Sequence, residues 1–157
     1  MILATIADYE DFIYNLRDAF PSVLSSTLRI IRTGPASGRL VGILTFSNDL
    51  RLDVAELVDS DAGQFDILQY GYVVWQGGER IYWYDSQAHP SDPSLAATDP
   101  HHKHVPPDIK HHRISAPDLA FTEPNLPHLI REIEQPLETL IWAADTSPFA
   151  HFPAVGV

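Results

Sequence analysis

Cysteine is absent from this chain of 157 residues, so no disulfide framework and no thiolate zinc site is open to it, and a structural metal would have to use histidine and carboxylates. Positive charge is scarce too. Ten Lys and Arg face twenty-one Asp and Glu, and the formal charge of −11 argues against a surface that grips nucleic acid over its whole extent; a polyanion must bind at a local site. No stretch approaches the ~20 apolar residues of a membrane helix. The start, Met1-Ile2-Leu3-Ala4 followed by acidic Asp8-Tyr9-Glu10-Asp11, lacks the basic region and apolar run of a signal peptide, and the expectation is a soluble cytoplasmic protein without membrane partners. At 45% hydrophobic, the chain can bury one compact core, and residues 1–157 are read as a single α+β domain with a functional loop over 85–125.

From Ala7 to Phe20, Tyr9, Phe12, Ile13, Leu16, Ala19 and Phe20 recur at helical spacing, with Asp8 as the expected N-cap and Pro21 as the stop. Val23–Arg32 reads as a strand through Leu28-Arg29-Ile30, with continuation of the helix as the competing assignment, before a loop at Thr33–Gly38. Leu40–Phe46 and Leu50–Val58 flank the short turn Ser47-Asn48-Asp49 and predict antiparallel neighbours. Phe65–Trp75 and Arg80–Tyr84 are joined across Gln76-Gly77-Gly78-Glu79, where Gly77-Gly78 suits a two-residue primed turn. The pattern predicts an antiparallel meander of four to five strands, covered on its apolar face by the N-terminal helix.

Beyond Tyr84 the regular pattern stops. Prolines 90, 93, 100, 106, 107, 117, 124 and 127 are too many for ladder or helix bonding through most of this segment, which predicts a long His- and Pro-rich loop. A C-terminal helix is expected from Asn125, as cap, and Pro127, in the first turn, through Leu129, Ile130 and Ile133 to about Leu140, followed by a loosely held tail over Thr146–Val157.

Six of the eight histidines, His89, His101, His102, His104, His111 and His112, fall in that loop with Lys103, Lys110 and Arg113. Within residues 89–113 these three cations balance Asp92, Asp99 and Asp108, so the loop is a neutral island that becomes cationic when its imidazoles protonate. A lone loop histidine is commonly solvated or packed beneath the loop. A group of them, interleaved with cations and stiffened by Pro100, Pro106, Pro107 and Pro117, points instead to a binding or active site.

The run Tyr84-Asp85-Ser86-Gln87-Ala88-His89-Pro90, then Asp99-Pro100-His101-His102-Lys103-His104, then Lys110-His111-His112-Arg113, closed by Phe121-Thr122-Glu123-Pro124-Asn125-Leu126-Pro127, resembles the TumE family of bacterial toxin components. The likeness extends over most of the chain. It implies a type II toxin–antitoxin system, a small helix-turn-helix antitoxin as partner, and a similarity to RelE-type ribonucleases acting on messenger RNA.

Metal-independent RNA cleavage needs a base, an acid and cations for the developing phosphoryl charge. The candidates are His102 or His104 with His111 or His112 as the acid–base pair, with the inward-facing member of His101/His102 and of His111/His112 left open. Lys103, Lys110 and Arg113 are the candidate phosphate clamps, and Tyr84, Asp85, His89, Asp99 and Asn125 are supporting residues. Tyr84 could stack a base, though core packing is its default role. No cofactor is required on this reading. The alternative is a metal-dependent hydrolase: His102-x-His104 in extended chain puts two imidazoles on one side, and His89, His111, Asp85 or Asp99 could complete a set for a divalent ion such as zinc. A third reading is non-enzymatic, with the loop as a binding face for an antitoxin or a nucleic-acid end.

Overall fold

A computed structural model describes residues 3–136. The first helix, α1 (Ile6–Tyr14), is capped by Thr5 rather than by Asp8: the Thr5 hydroxyl accepts from the Asp8 N–H, and Asp8 reaches back to the Thr5 N–H at 2.9 Å in a capping box. Asn15 interrupts it, and a single turn, α2 (Leu16–Ala19), ends just before Pro21. Ile6, Tyr9, Ile13 and Leu16 form one buried stripe.

The segment Val23–Arg32 is extended, as two short strands, β1 (Ser25–Ser26) and β2 (Arg29–Arg32), both paired with β3 (Ser37–Thr45). The break between them crosses Gly42, whose φ of +145° suits glycine alone and whose absent Cβ would stand 2.6 Å from the Thr27 carbonyl oxygen. A turn with Asn48 and Asp49 both at φ 60° leads to β4 (Leu50–Asp59), and Gly77 at φ 57° turns β5 (Asp66–Gln76) into β6 (Glu79–Asp85). The expected meander is thus β3–β6.

The sheet does not stop there. Two three-residue strands inside the proline-rich segment, β7 (His102–His104) and β8 (Arg113–Ser115), extend it to eight antiparallel strands, against the four or five expected. Each is short enough to fit between prolines; β7 takes its bonds from β6 across residues 86–101, and β8 from β7. A 3₁₀ helix (Pro93–Thr98), begun by Asp92, lies between β6 and β7.

On one side of the sheet Leu40, Leu52, Val54, Tyr72, Val74 and Tyr82 join α1 and the last helix, α3 (Leu126–Ile133), in one hydrophobic core. The fold is α+β with a helix near each end of the described chain. α3 ends at Ile133 with Glu134 as C-cap, short of the expected Leu140, which lies outside the described residues, as does the tail Thr146–Val157. Asn125 stands at the N-cap but its side chain does not cap. Its amide donates to the Tyr72 hydroxyl (3.0 Å) and the Ala120 carbonyl (3.0 Å), and its oxygen accepts from the Ala120 N–H (2.8 Å). No helix among the described residues is long and apolar enough to cross a membrane.

One buried acid ties these layers together. Glu56, 3% exposed, accepts from the hydroxyls of Tyr9 (2.6 Å) on α1 and Tyr72 (2.7 Å) on β5. Burial raises its pKa from 4.5 to about 7, against the two hydrogen bonds that lower it. The folded state therefore holds this proton more tightly than the unfolded state. The resulting stability is fully present below pH 4.5 and is lost as pH rises through 7. Urea unfolding at pH 5 and pH 8 should show a loss of about 3 kcal/mol from this group, and Glu56→Gln should flatten that slope. Gly42→Ala should lower stability by about 1–3 kcal/mol, because the added methyl has only backbone to meet; an unchanged melting temperature would contradict the close approach.

Candidate functional site

The β6–β7–β8 ladder pairs Trp83 with His104 and His104 with Arg113, and likewise Asp85 with His102 and His102 with Ser115. Since alternate residues of a strand share a face, Trp83, Asp85, His102, His104 and Arg113 all lie on the face of the sheet away from α3. Asp85 is the hub. Its Oδ1 accepts from the Gln87 N–H (3.0 Å) and lies 2.8 Å from His102 Nε2, and its Oδ2 accepts from Trp83 Nε1 (3.2 Å) and lies 3.2 Å from His104 Nε2. Burial alone would raise the Asp85 pKa. The hydrogen bonds from His102 and His104, the charge of His102 and the Gln87 amide together outweigh it and hold the carboxyl far below its usual range.

A carboxylate only accepts, so separations of 2.8 and 3.2 Å call for a proton on each Nε2; at His102 that proton competes with the Arg113 Nη1–H, 3.3 Å from the same nitrogen. Their Nδ1 atoms are buried and have no partner. Access differs: the His102 side chain is 0% exposed, His104 12% and Asp85 26%. The His104 ring stacks on Trp83 at 4.1 Å, and the Arg80 guanidinium lies 4.1 Å from the same indole. Trp83 thus carries both an imidazole stack and a cation contact.

Arg113 closes the cluster. Its Nη1 lies 3.3 Å from His102 Nε2, Nη2 donates to Asp99 Oδ1 (2.8 Å) and to the Leu95 carbonyl (2.8 Å), and Nε donates to Thr98 Oγ1 (2.6 Å). These bonds, with Ser115 Oγ on the Ala97 carbonyl (3.3 Å), fasten the 3₁₀ helix to this face. Asp99 therefore neutralises Arg113 and sets its orientation.

A model of the family described as Toxin TumE matches residues 13–137. The chain belongs to the TumE toxin family. No curated protein and no solved structure matches it. The family match takes in β6, β7, β8 and α3, and so the whole Asp85 cluster, and membership of a toxin family implies a cognate antitoxin.

Strand alternation sends Lys103 of this TumE-family toxin to the opposite face, against α3. Its ammonium pairs with Glu132 Oε1 at 2.5 Å and sits over the rings of Tyr82 (4.1 Å) and Tyr84 (5.2 Å). The Tyr84 hydroxyl donates to Glu132 Oε2 at 2.6 Å. Burial would raise the Glu132 pKa, but His128, 3.6 Å away, the hydrogen bonds from Lys103 and Tyr84 and the Lys103 charge bring it down to about 2. Lys103 is thus engaged away from the imidazoles it separates in sequence, and a cavity of about 260 Å³ beside it is lined by Tyr84, Lys103, Asp118, His128 and Glu132 among others.

The remaining candidates are dispersed. His101 Nδ1 meets the Tyr70 hydroxyl at 2.7 Å, and its ring packs on Tyr70 and Phe121; burial, then the charge of His102, lowers its pKa. His111, with 77% of its side chain exposed, pairs with Asp108 (2.9 Å), and His112 Nδ1 donates to the Pro106 carbonyl (3.1 Å), both in the connection between β7 and β8. The Val105 N–H bonds the His112 carbonyl, so alternation puts His112 on the face away from His104 and Arg113. Lys110 is exposed in the same connection, and His89 is half-buried in the loop after β6.

The structure thus gathers Asp85, Asp99, His102, His104 and Arg113, and keeps His89, His101, Lys103, Lys110, His111 and His112 apart from them. Trp83 and Arg80 join the cluster unforeseen; period-2 alternation back from Asp85 was the available signal for Trp83. Nothing local marks Glu132 as the Lys103 partner, since that contact spans twenty-nine residues.

Lys103→Ala should cost about 3 kcal/mol in urea unfolding by leaving Glu132 buried and unpaired. Adding Glu132→Gln should recover part of it. Unchanged stability in the single variant would mean that the pair does not form.

Proposed function

We propose that this TumE-family toxin is a ribonuclease whose active site is the Asp85–His102–His104–Arg113 cluster. The observation that carries the reading is the convergence of two imidazoles on one ionised carboxylate, with a guanidinium against one of them, on rigid paired strands. Cleavage of a phosphodiester needs an activated oxygen nucleophile and a cation for the charge that builds on the phosphoryl oxygens. The Asp85–His104 edge, the most accessible part of the cluster, suits the first task, and Arg113, 6% exposed and paired with Asp99, has only its Nη1 turned to the cluster for the second.

Division of labour follows from exposure. His102 has no exposed surface and acts as a positioning residue, holding Asp85 from beneath. A two-histidine shuttle drawing on His111 or His112 has less support, since those rings belong to the far end of the β7–β8 connection. The exposed Arg80, stacked on Trp83, adds a second cation for the RNA backbone at the rim of the cluster. Charge supports the same picture: on a chain of −11, RNA is held locally rather than over a basic surface. The family resemblance supports a small helix-turn-helix antitoxin as the neutralising partner and the cytoplasm as the place where toxin and RNA meet.

Growth and RNA integrity after induction test this directly. Wild type should arrest growth and degrade RNA, whereas Asp85→Asn, His104→Gln and Arg113→Lys, each checked for an unchanged fold, should cleave roughly 10²–10⁴-fold more slowly. Lys110→Ala and His111→Ala should remain toxic. Arrest that persists in the Asp85, His104 and Arg113 variants with RNA intact would reject the ribonuclease reading.

A further inference from the structure

The geometry points to a binding site for one divalent transition-metal ion of the zinc class, formed by an Asp85 carboxylate oxygen with His102 Nε2 and His104 Nε2. One ligand atom from each of these residues lies within 4.8 Å of the others. In a tetrahedral site with bonds of roughly 2.0–2.2 Å, neighbouring donors stand about 3.3 Å apart. The separations here, 2.8 Å from Oδ1 to His102 Nε2 and 3.2 Å from Oδ2 to His104 Nε2, would open slightly, and the wider separations of the set, within 4.8 Å, would close as the donors turn onto an ion.

Four further features favour this occupant. The donors stand on paired strands, Asp85 and His102 directly across from each other and His104 one alternation further on, so the set is preorganised by the ladder. Two nitrogens and one oxygen select a zinc-type ion over magnesium or calcium, which take all-oxygen shells. Neither Nδ1 has a partner, so moving the proton from Nε2 to Nδ1, which frees the Nε2 lone pair for a metal, breaks no hydrogen bond there. Finally, Asp99 neutralises Arg113, whose guanidinium would otherwise repel a dication at this point.

Three protein ligands leave at least one coordination position open, the pattern of a catalytic rather than a structural site. That catalytic role rests on the ribonuclease reading; occupancy of the site does not. An ion here would supply the nucleophile as a bound, activated water molecule at the accessible Asp85–His104 edge. Its proton passes to solvent, its oxygen forms the new bond to phosphorus, and the bond to the departing ribose oxygen breaks, that oxygen taking a proton from water.

The test uses the full-length chain purified without an affinity tag, stripped with a chelator and titrated with cobalt(II), then zinc(II). One equivalent of cobalt should bind with the visible d–d absorption of a low-symmetry site, zinc should displace it, and zinc should raise the melting temperature. His104→Gln and Asp85→Asn, chosen to preserve shape and compared at equal metal-free stability, should bind about 10²-fold more weakly or worse, since losing a ligand costs more than losing an outer-shell partner. Failure of the stripped wild type to bind one equivalent, or equal binding by the variants, would overturn the site. RNA cleavage is scored separately on the same samples. Full cleavage by metal-free protein would overturn the catalytic role of the ion, and one bound equivalent without cleavage in any form would overturn the ribonuclease reading while leaving the site in place.

Discussion

Three residues of β7 pair with three of β6, and because successive side chains of a strand point to opposite faces, that short ladder decides the chemistry on both sides of the sheet. His102 and His104 meet Asp85 on one face, and Lys103, between them in sequence, meets Glu132 and the Tyr82 and Tyr84 rings on the other. A slip of one residue would exchange the two sets: a lysine would face the carboxylate, and two imidazoles would enter the contact with α3. The register is held from both sides, by β8 through Arg113 and its bonds to the 3₁₀ helix, and by the buried Lys103–Glu132 pair.

The two faces therefore divide their work. The α3 side carries the core, and its polar groups are internal ties: Tyr9, Glu56, Tyr72 and Asn125 in one chain of hydrogen bonds, Lys103, Tyr84 and Glu132 in another. The groups of these two chains are satisfied, which fits a role in fixing layer on layer, while the buried Tyr82 hydroxyl on the same side has no partner. The other side carries a cluster that is incompletely satisfied, with two orphaned Nδ1 atoms beside a carboxylate that takes two hydrogen bonds and stands 2.8 and 3.2 Å from two imidazole nitrogens. Two orphaned ring nitrogens beside one ionised carboxylate, unlike the lone Tyr82 hydroxyl, make this cluster the candidate for function.

Much of this was legible in the chain itself. Alternation at Leu50, Leu52 and Val54 and the turn at Gly77-Gly78 marked β4, β5 and β6, and the spacing His102-x-His104 put two imidazoles on one side. What escaped was non-local. Strands of three residues carry no periodicity, and proline density concealed β7 and β8 because each fits between prolines, and β8 forms on a β7 that itself depends on β6 across a long loop. Grouping Lys103, Lys110 and Arg113 as phosphate clamps followed nearness in sequence; pairing and alternation separate them, leaving Arg113 with the histidines, Lys103 behind the sheet and Lys110 in the β7–β8 connection. Thr5 displaced Asp8 as cap because the box satisfies two backbone donors where Asp8 alone would satisfy one.

Long-range ¹H–¹⁵N correlation spectra of the histidine rings in chelator-treated protein reach the Asp85 hub most directly. His102 and His104 should both appear as Nε2-protonated rings, and both should shift together in Asp85→Asn while the signals of His111 stay in place. If the two rings carry their protons on Nδ1, or are indifferent to the Asp85 change, one carboxylate does not gather them, and the site built on that contact does not exist.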